Sequence, residues 1–92
     1  MAQRRRRSYI QAEQDGFTFR FYADEGGELH ITNRHGTTME TAIDTFFAGE
    51  YAEDPEHQRY VTETATHVLL WAWYANRPED HEVMIISCYT KE

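Results

Sequence analysis

Two short, continuous apolar runs constrain this 92-residue chain more than any other feature. They occupy residues 68–74 (VLLWAWY) and 83–89 (VMIISCY), and the turn-forming residues 76–80 connect them. Runs of this length, rich in β-branched and aromatic side chains, are typical of strands that are covered on both faces. We therefore predict two buried strands of one sheet.

Three other segments predict strands that are less buried. Every second residue of 17–22 is a phenylalanine, and Leu29 and Ile31 alternate with polar residues after the turn-forming sequence DEGG at 24–27. This pattern predicts a hairpin of strands 17–22 and 28–32. Residues 59–65 predict a further strand near an edge of the sheet, after an acidic loop over residues 50–58.

Residues 37–49 predict the one helix. Thr37 and Glu40 have the spacing of a capping box, in which each side chain satisfies a free backbone amide at the start of the helix. Gly49 is a suitable residue to end this helix, because glycine is common just after the last helical turn. Apolar residues then recur at helical spacing on one face: Met39, Ala42, Ile43, Phe46 and Phe47.

Together these elements predict an α+β domain in the order ββαβββ, with one helix packed on an antiparallel sheet. The length suits a single domain, which we place at residues 16–92. Residues 1–15 predict a polar, arginine-rich N-terminal arm. Three interpretations of the arm stay open: a phosphate-binding segment, a targeting signal, or a solvated tail.

Charge separates the arm from the rest of the chain. Residues 4–7 are four arginines, whereas from Ile10 onward 5 basic residues face 16 acidic ones, a balance of about −11. Such a body repels nucleic acid on average and attracts basic surfaces. Two acidic clusters stand out, the first made of Glu50, Glu53, Asp54 and Glu56, and the second of Glu79, Asp80 and Glu82.

The single cysteine, Cys88, excludes a disulfide within the chain and suits a reducing cytoplasm, where we expect the protein. No apolar run approaches the roughly 20 residues of a membrane span, so we expect no membrane partner. The five histidines and Cys88 match no zinc pattern, and we predict neither a metal nor a cofactor.

A set of polar residues could converge where strands end and the helix starts. Phosphodiester cleavage needs cations for the phosphate and an acid–base pair. Arg34 and Arg59 could supply the cations, and His35 and Tyr89 the acid and base. The same residues could equally be ordinary solvent-exposed polar side chains together with one hydrogen-bonded histidine, so this alternative stays open.

The segment Arg34-His35-Gly36-Thr37, followed by Glu40, Ala42 and Phe46-Phe47, resembles the opening motif of BrnT-type toxins, a family of small bacterial toxins. Arg59-Tyr60 and Ile85-Ile86-Ser87 resemble that family's central arginine and its closing strand. The resemblance covers roughly residues 33–91.

The resemblance implies a RelE-like fold, metal-independent cleavage of RNA, and a co-expressed antitoxin as protein partner. It also implies that Arg34, His35, Arg59 and Ser87 act in catalysis. Two differences accompany it: Tyr89 stands where the family has its closing arginine, and the predicted hairpin replaces the helix before the opening motif.

The acidic body indicates a second class of function. Small acidic inhibitors, such as anti-CRISPR proteins, immunity proteins and nucleic-acid mimics, present carboxylates to a basic site on a nucleic-acid-handling protein. Glu50, Glu53, Asp54 and Glu56 would form such a surface. Trp71 and Trp73 share one strand face, which we expect to lie away from the helix because the smaller side chains of the other face suit helix packing. That face is either an apolar partner-binding patch or a surface covered by the arm or a loop. A homodimer also stays open.

Overall fold

The computed structural model of the protein describes residues 8–23 and 36–91. It opens with a tight hairpin of strands β1 (Ser8–Gln14) and β2 (Phe17–Ala23). Asp15 and Gly16 form the turn with φ of 51° and 85°. A two-residue hairpin turn of type I′ needs positive φ at both positions, and an Asp-Gly pair meets that need.

Helix α1 (Met39–Ala48) follows, close to where the apolar spacing predicted it. Its cap is Thr38, whose hydroxyl accepts from the backbone N–H of Thr41 at 3.1 Å. Thr37, the predicted cap, is instead buried and donates to the carbonyl of Cys88 at 2.9 Å. That bond ties the start of the helix to the last strand, so the predicted capping box of Thr37 and Glu40 is wrong and the N-cap lies one residue later, at Thr38.

Four strands complete the chain: β3 (Glu50–Asp54), β4 (Arg59–Glu63), β5 (His67–Trp73) and β6 (Glu82–Thr90). A 3-10 turn at Pro55–His57 joins β3 to β4, and two more at Tyr74–Asn76 and Pro78–Asp80 join β5 to β6. Within the described residues the sheet has six strands in the order β1-β2-β6-β5-β4-β3. Every neighbouring pair is antiparallel except β2 and β6, which are parallel.

The predicted α+β class is confirmed, since the described residues form one α-helix packed on a sheet that is antiparallel except at one pair of strands. Two boundaries were wrong. Ser8–Gln14 is a strand of the sheet, so the predicted arm over residues 1–15 extends too far. Glu50–Asp54 is a strand within the predicted acidic loop. The predicted hairpin strand at 28–32 lies outside the described residues.

The core lies between α1 and one face of the sheet. Phe19, Phe21, Leu69, Val83 and Ile85 supply its sheet side, and all are almost fully buried. Ala42 and Ile43 supply its helix side. Strands β5 and β6 keep their inward side chains aligned despite an irregularity at Leu70/Trp71, where the register skips one residue of β6.

Candidate functional site

Within the described ranges 8–23 and 36–91, every lysine and arginine is ion-paired with a carboxylate. Three of the four pairs join different strands or a strand to the chain end, and only one is a local i,i+3 pair. The pairs are Arg20–Glu82 at 2.7 Å, Arg59–Asp54 at 3.0 Å, Arg77–Asp80 at 3.1 Å and Lys91–Glu63 at 2.9 Å.

The carboxylates outnumber these cations. The same residues include twelve aspartates and glutamates, so eight have no lysine or arginine partner there. We call these eight the free carboxylates. They are Glu13, Asp15, Glu40, Asp44, Glu50, Glu53, Glu56 and Glu79.

Topology gathers most of the free carboxylates at one end of the sheet. Strands β1, β3 and β5 all run toward this end, so the turns after them lie side by side. We call this region the acidic sheet end; its free carboxylates, all exposed, are Glu13, Asp15, Glu53, Glu56 and Glu79. Strands lie about 4.8 Å apart, so neighbouring turns are about 10 Å apart. That is close to the screening length at 0.1 M salt, so the fields of the three turns reinforce one another.

The β3–β4 turn is organised by Asp54. Its Oδ2 accepts from Arg59 Nε and lies the same distance, 3.0 Å, from His57 Nδ1. Desolvation raises the pKa of the Asp54 carboxyl, but the hydrogen bonds from Arg59 and His57 outweigh it and hold the pKa below its ordinary value. Asp54 is therefore a structural anion of the turn, although the sequence grouped it with the partner-binding carboxylates.

The residues predicted to form a ribonuclease site are not brought together as far as the structure describes them. Arg34 and His35 lie outside the described residues. Arg59 opens β4 at the acidic sheet end, whereas Ser87 and Tyr89 lie toward the far end of β6. The register places Ser87 two strands and two residues from Arg59, a Cα separation of about 12 Å, and Tyr89 about 17 Å away. The predicted gathering of Arg59 with the end of the last strand at one rim is wrong.

The two tryptophans do not form an exposed patch. Trp71 is 2% exposed and packs on Phe46 of the helix, with 5.0 Å between ring centroids. Its indole N–H donates to the hydroxyl of Thr62 at 2.8 Å. Trp73 is half-buried beside the core. The predicted assignment of Trp71 and Trp73 to the face away from the helix is wrong, because the helix covers the face that carries the tryptophans.

The two acidic clusters that the sequence predicted do not stay together in the structure. Glu53 and Glu56 lie at the acidic sheet end with Glu79 of the second cluster, whereas Glu50 begins β3 at the opposite end. Sequence reasoning missed Glu13 and Asp15 as members of this surface. The Asp15-Gly16 pair between alternating residues was the signal that could have placed them at a hairpin turn.

An open groove lies at the acidic sheet end, where the β3–β4 turn and the β5–β6 connection diverge. Its volume is about 350 Å³. It combines one free carboxylate with aromatic and amide side chains: its lining residues are Glu53, Pro55, Gln58, Arg59, Tyr60, Ala72, Trp73 and Asn76.

The described residues contain neither a cluster suited to a metal ion nor a helix long enough to span a membrane. No three or more His, Cys, Asp or Glu side chains among those described are arranged to hold a metal ion. The helix in the described part of the chain is too short to cross a membrane. Burial raises the pKa of the Cys88 thiol, although a hydrogen bond with Thr45 opposes the shift.

Comparison with protein-family models, with curated proteins and with solved structures found no match for this chain. The BrnT resemblance and the functions it implies therefore stay predictions.

Proposed function

We propose that this protein is a small acidic inhibitor that binds a basic site on a nucleic-acid-handling protein through its acidic sheet end. One observation carries the proposal: each described lysine and arginine is already bound by a carboxylate, and five free carboxylates lie in three adjacent turns or in the strand ends beside them. A surface of this kind steers the protein toward a basic partner and raises the rate of association.

The same observation weighs against RNA cleavage by the described residues. A phosphate that approached Arg59 would compete with Asp54 for the guanidinium and would face Glu53 and Glu56 nearby. Transition-state stabilisation in phosphodiester cleavage depends on cations that are free to meet developing negative charge. The acidic inhibitor is therefore the function that the geometry supports best.

The test measures displacement of a labelled oligonucleotide from a panel of purified nucleases, helicases and RNA-guided effector proteins. We expect the protein to displace the oligonucleotide from at least one of them, with an association rate that falls steeply as salt rises. Failure with the whole panel would overturn the proposal, as would cleavage of RNA by the protein alone without added metal.

Two double variants with the same change in net charge test whether the acidic sheet end is the binding surface. Glu56→Lys/Glu79→Lys alters two free carboxylates of the acidic sheet end, and Asp44→Lys/Glu50→Lys makes the same change in net charge elsewhere. We expect the first to abolish displacement and the second to preserve most of it. Equal loss in both would show that overall charge, and not this end of the sheet, drives binding. Asp54 is left intact because it holds Arg59 and His57.

A further inference from the structure

The groove at the acidic sheet end has the chemistry to receive one particular side chain. Glu53 contributes a carboxylate that no described lysine or arginine neutralises. Among the other lining residues, Gln58 and Asn76 carry amide carbonyls that can accept hydrogen bonds, and Tyr60 and Trp73 carry aromatic rings. Carboxylate, carbonyl and aromatic groups together favour a planar cation with several N–H donors.

The aromatic walls are held in place by packing. Tyr60 stacks on the buried Trp71 with 4.7 Å between ring centroids and 20° between ring planes. Trp73 meets Trp71 edge-on at 5.0 Å and lies parallel to Phe17 at 6.3 Å. A ligand would therefore meet rings that are already ordered, which lowers the entropic cost of binding.

The protein already holds one of its own arginines with the same combination of groups. The Arg20 guanidinium lies 4.2 Å from the ring centroid of Tyr74 and donates to Glu82 at 2.7 Å. The groove offers a matching carboxylate and rings at Glu53, Tyr60 and Trp73. Its own arginine, Arg59, is held by Asp54.

We infer that the groove binds an arginine side chain of the basic partner, with the guanidinium paired to Glu53 and packed against Tyr60 and Trp73. This inference rests on the proposed function, because it names the group on the partner that the acidic sheet end recognises. Arginine is preferred over lysine because its flat guanidinium both stacks on rings and donates several directed hydrogen bonds.

The test titrates the full chain with N-acetyl-arginine amide and follows it by NMR. We expect saturable shifts of the Trp73 indole N–H and of the Gln58 and Asn76 side-chain amides. N-acetyl-citrulline amide, which has nearly the same shape without the charge, should leave these resonances unchanged. Shifts that map away from the groove, or equal shifts with citrulline, would overturn the inference.

Two variants with the same change in charge sharpen the test. Glu53→Gln removes the carboxylate of the groove, and Glu79→Gln removes a free carboxylate of the same sheet end outside it. We expect Glu53→Gln to weaken arginine binding about fivefold, the size of an exposed ion pair, and Glu79→Gln to weaken it less than twofold. If both variants weakened arginine binding equally, the binding would reflect attraction to the negative charge of the whole sheet end, and the inferred arginine site in the groove would be wrong.

Failure of this inference is distinguishable from failure of the proposed function. Suppose that the protein displaces nucleic acid and yet fails to bind the arginine probe. That result would overturn the inferred arginine site and leave the inhibitor function standing. Specific arginine binding in the groove, with no displacement from any nucleic-acid-handling protein, would overturn the inhibitor function and leave the arginine site standing.

Discussion

The indole N–H of Trp71 donates to the hydroxyl of Thr62 at 2.8 Å, and both side chains are at most 2% exposed. The two residues lie on adjacent strands, β5 and β4, so this bond satisfies a polar group where the sheet meets the helix. An indole N–H left without an acceptor at this depth would cost free energy, because no water replaces the lost partner.

Thr62→Val tests this bond, since valine keeps the shape of threonine and removes the acceptor. We expect the free energy of unfolding to fall by about 1–3 kcal/mol, measured from the urea midpoint. The Trp71 indole proton should also exchange faster with solvent in the variant. An unchanged midpoint together with unchanged exchange would contradict the role of the bond.

Phe46 and Phe47 provide a matched pair for the helix–sheet interface. The Phe46 ring contacts Trp71 and Phe19 at centroid distances of 5.0 and 5.1 Å, whereas Phe47 is 40% exposed. Phe46→Ala should lower the free energy of unfolding by about 3–5 kcal/mol, because it leaves a cavity beneath the helix. Phe47→Ala should cost less than half of that loss. The denaturant midpoints of the two variants check the difference, and equal values would contradict the assigned packing.

Asp54 predicts a specific dependence of stability on pH. Its pKa is lower in the folded protein than the ordinary value near 3.8, so folding favours the ionised carboxylate. The resulting stability is present above that ordinary pKa and is lost as pH falls through the folded value. We expect unfolding free energies measured from pH 6 down to pH 2 to converge for wild type and Asp54→Asn below about pH 4. An Asp54→Asn curve that runs parallel to the wild-type curve over this range would contradict the linkage.

Cys88 should be chemically inert in the folded protein. The side chain is fully buried in the core, and burial raises the pKa of its thiol, so the reactive thiolate is scarce. We expect the disulfide reagent DTNB to react slowly at pH 8 and stoichiometrically once urea unfolds the chain. Rapid stoichiometric reaction without denaturant would contradict the burial.

The sequence was informative wherever local patterns carried the signal. Apolar residues at helical spacing located α1 to within two residues, and the two continuous apolar runs located β5 and β6. It failed for β1 and β3, which are the edge strands of the sheet. Edge strands contact a neighbour on one side only, so polar sequences such as EYAED in β3 can form them without an apolar signature.

Only part of the candidate site could be predicted from the sequence. Composition alone showed an acidic body, and both acidic clusters were visible in the sequence. The gathering of members of both clusters with Glu13 and Asp15 at one end of the sheet was not visible, because it follows from strand direction and order, which no local pattern encodes. The lining of the groove likewise combines residues of β3, β4 and β5 that are far apart in the chain.

The sequence by itself determined the helix, the buried strands and the excess of carboxylates, because each depends on residue type and short-range spacing. Only the tertiary structure decided which carboxylates are free. Arg20 finds Glu82 across 62 positions of the chain, and that pairing exists because β2 and β6 lie side by side. It also decided that the tryptophans face the helix. A strand that is apolar along its whole length does not indicate by its sequence which of its two faces the helix covers. Packing against Phe46 settled that choice.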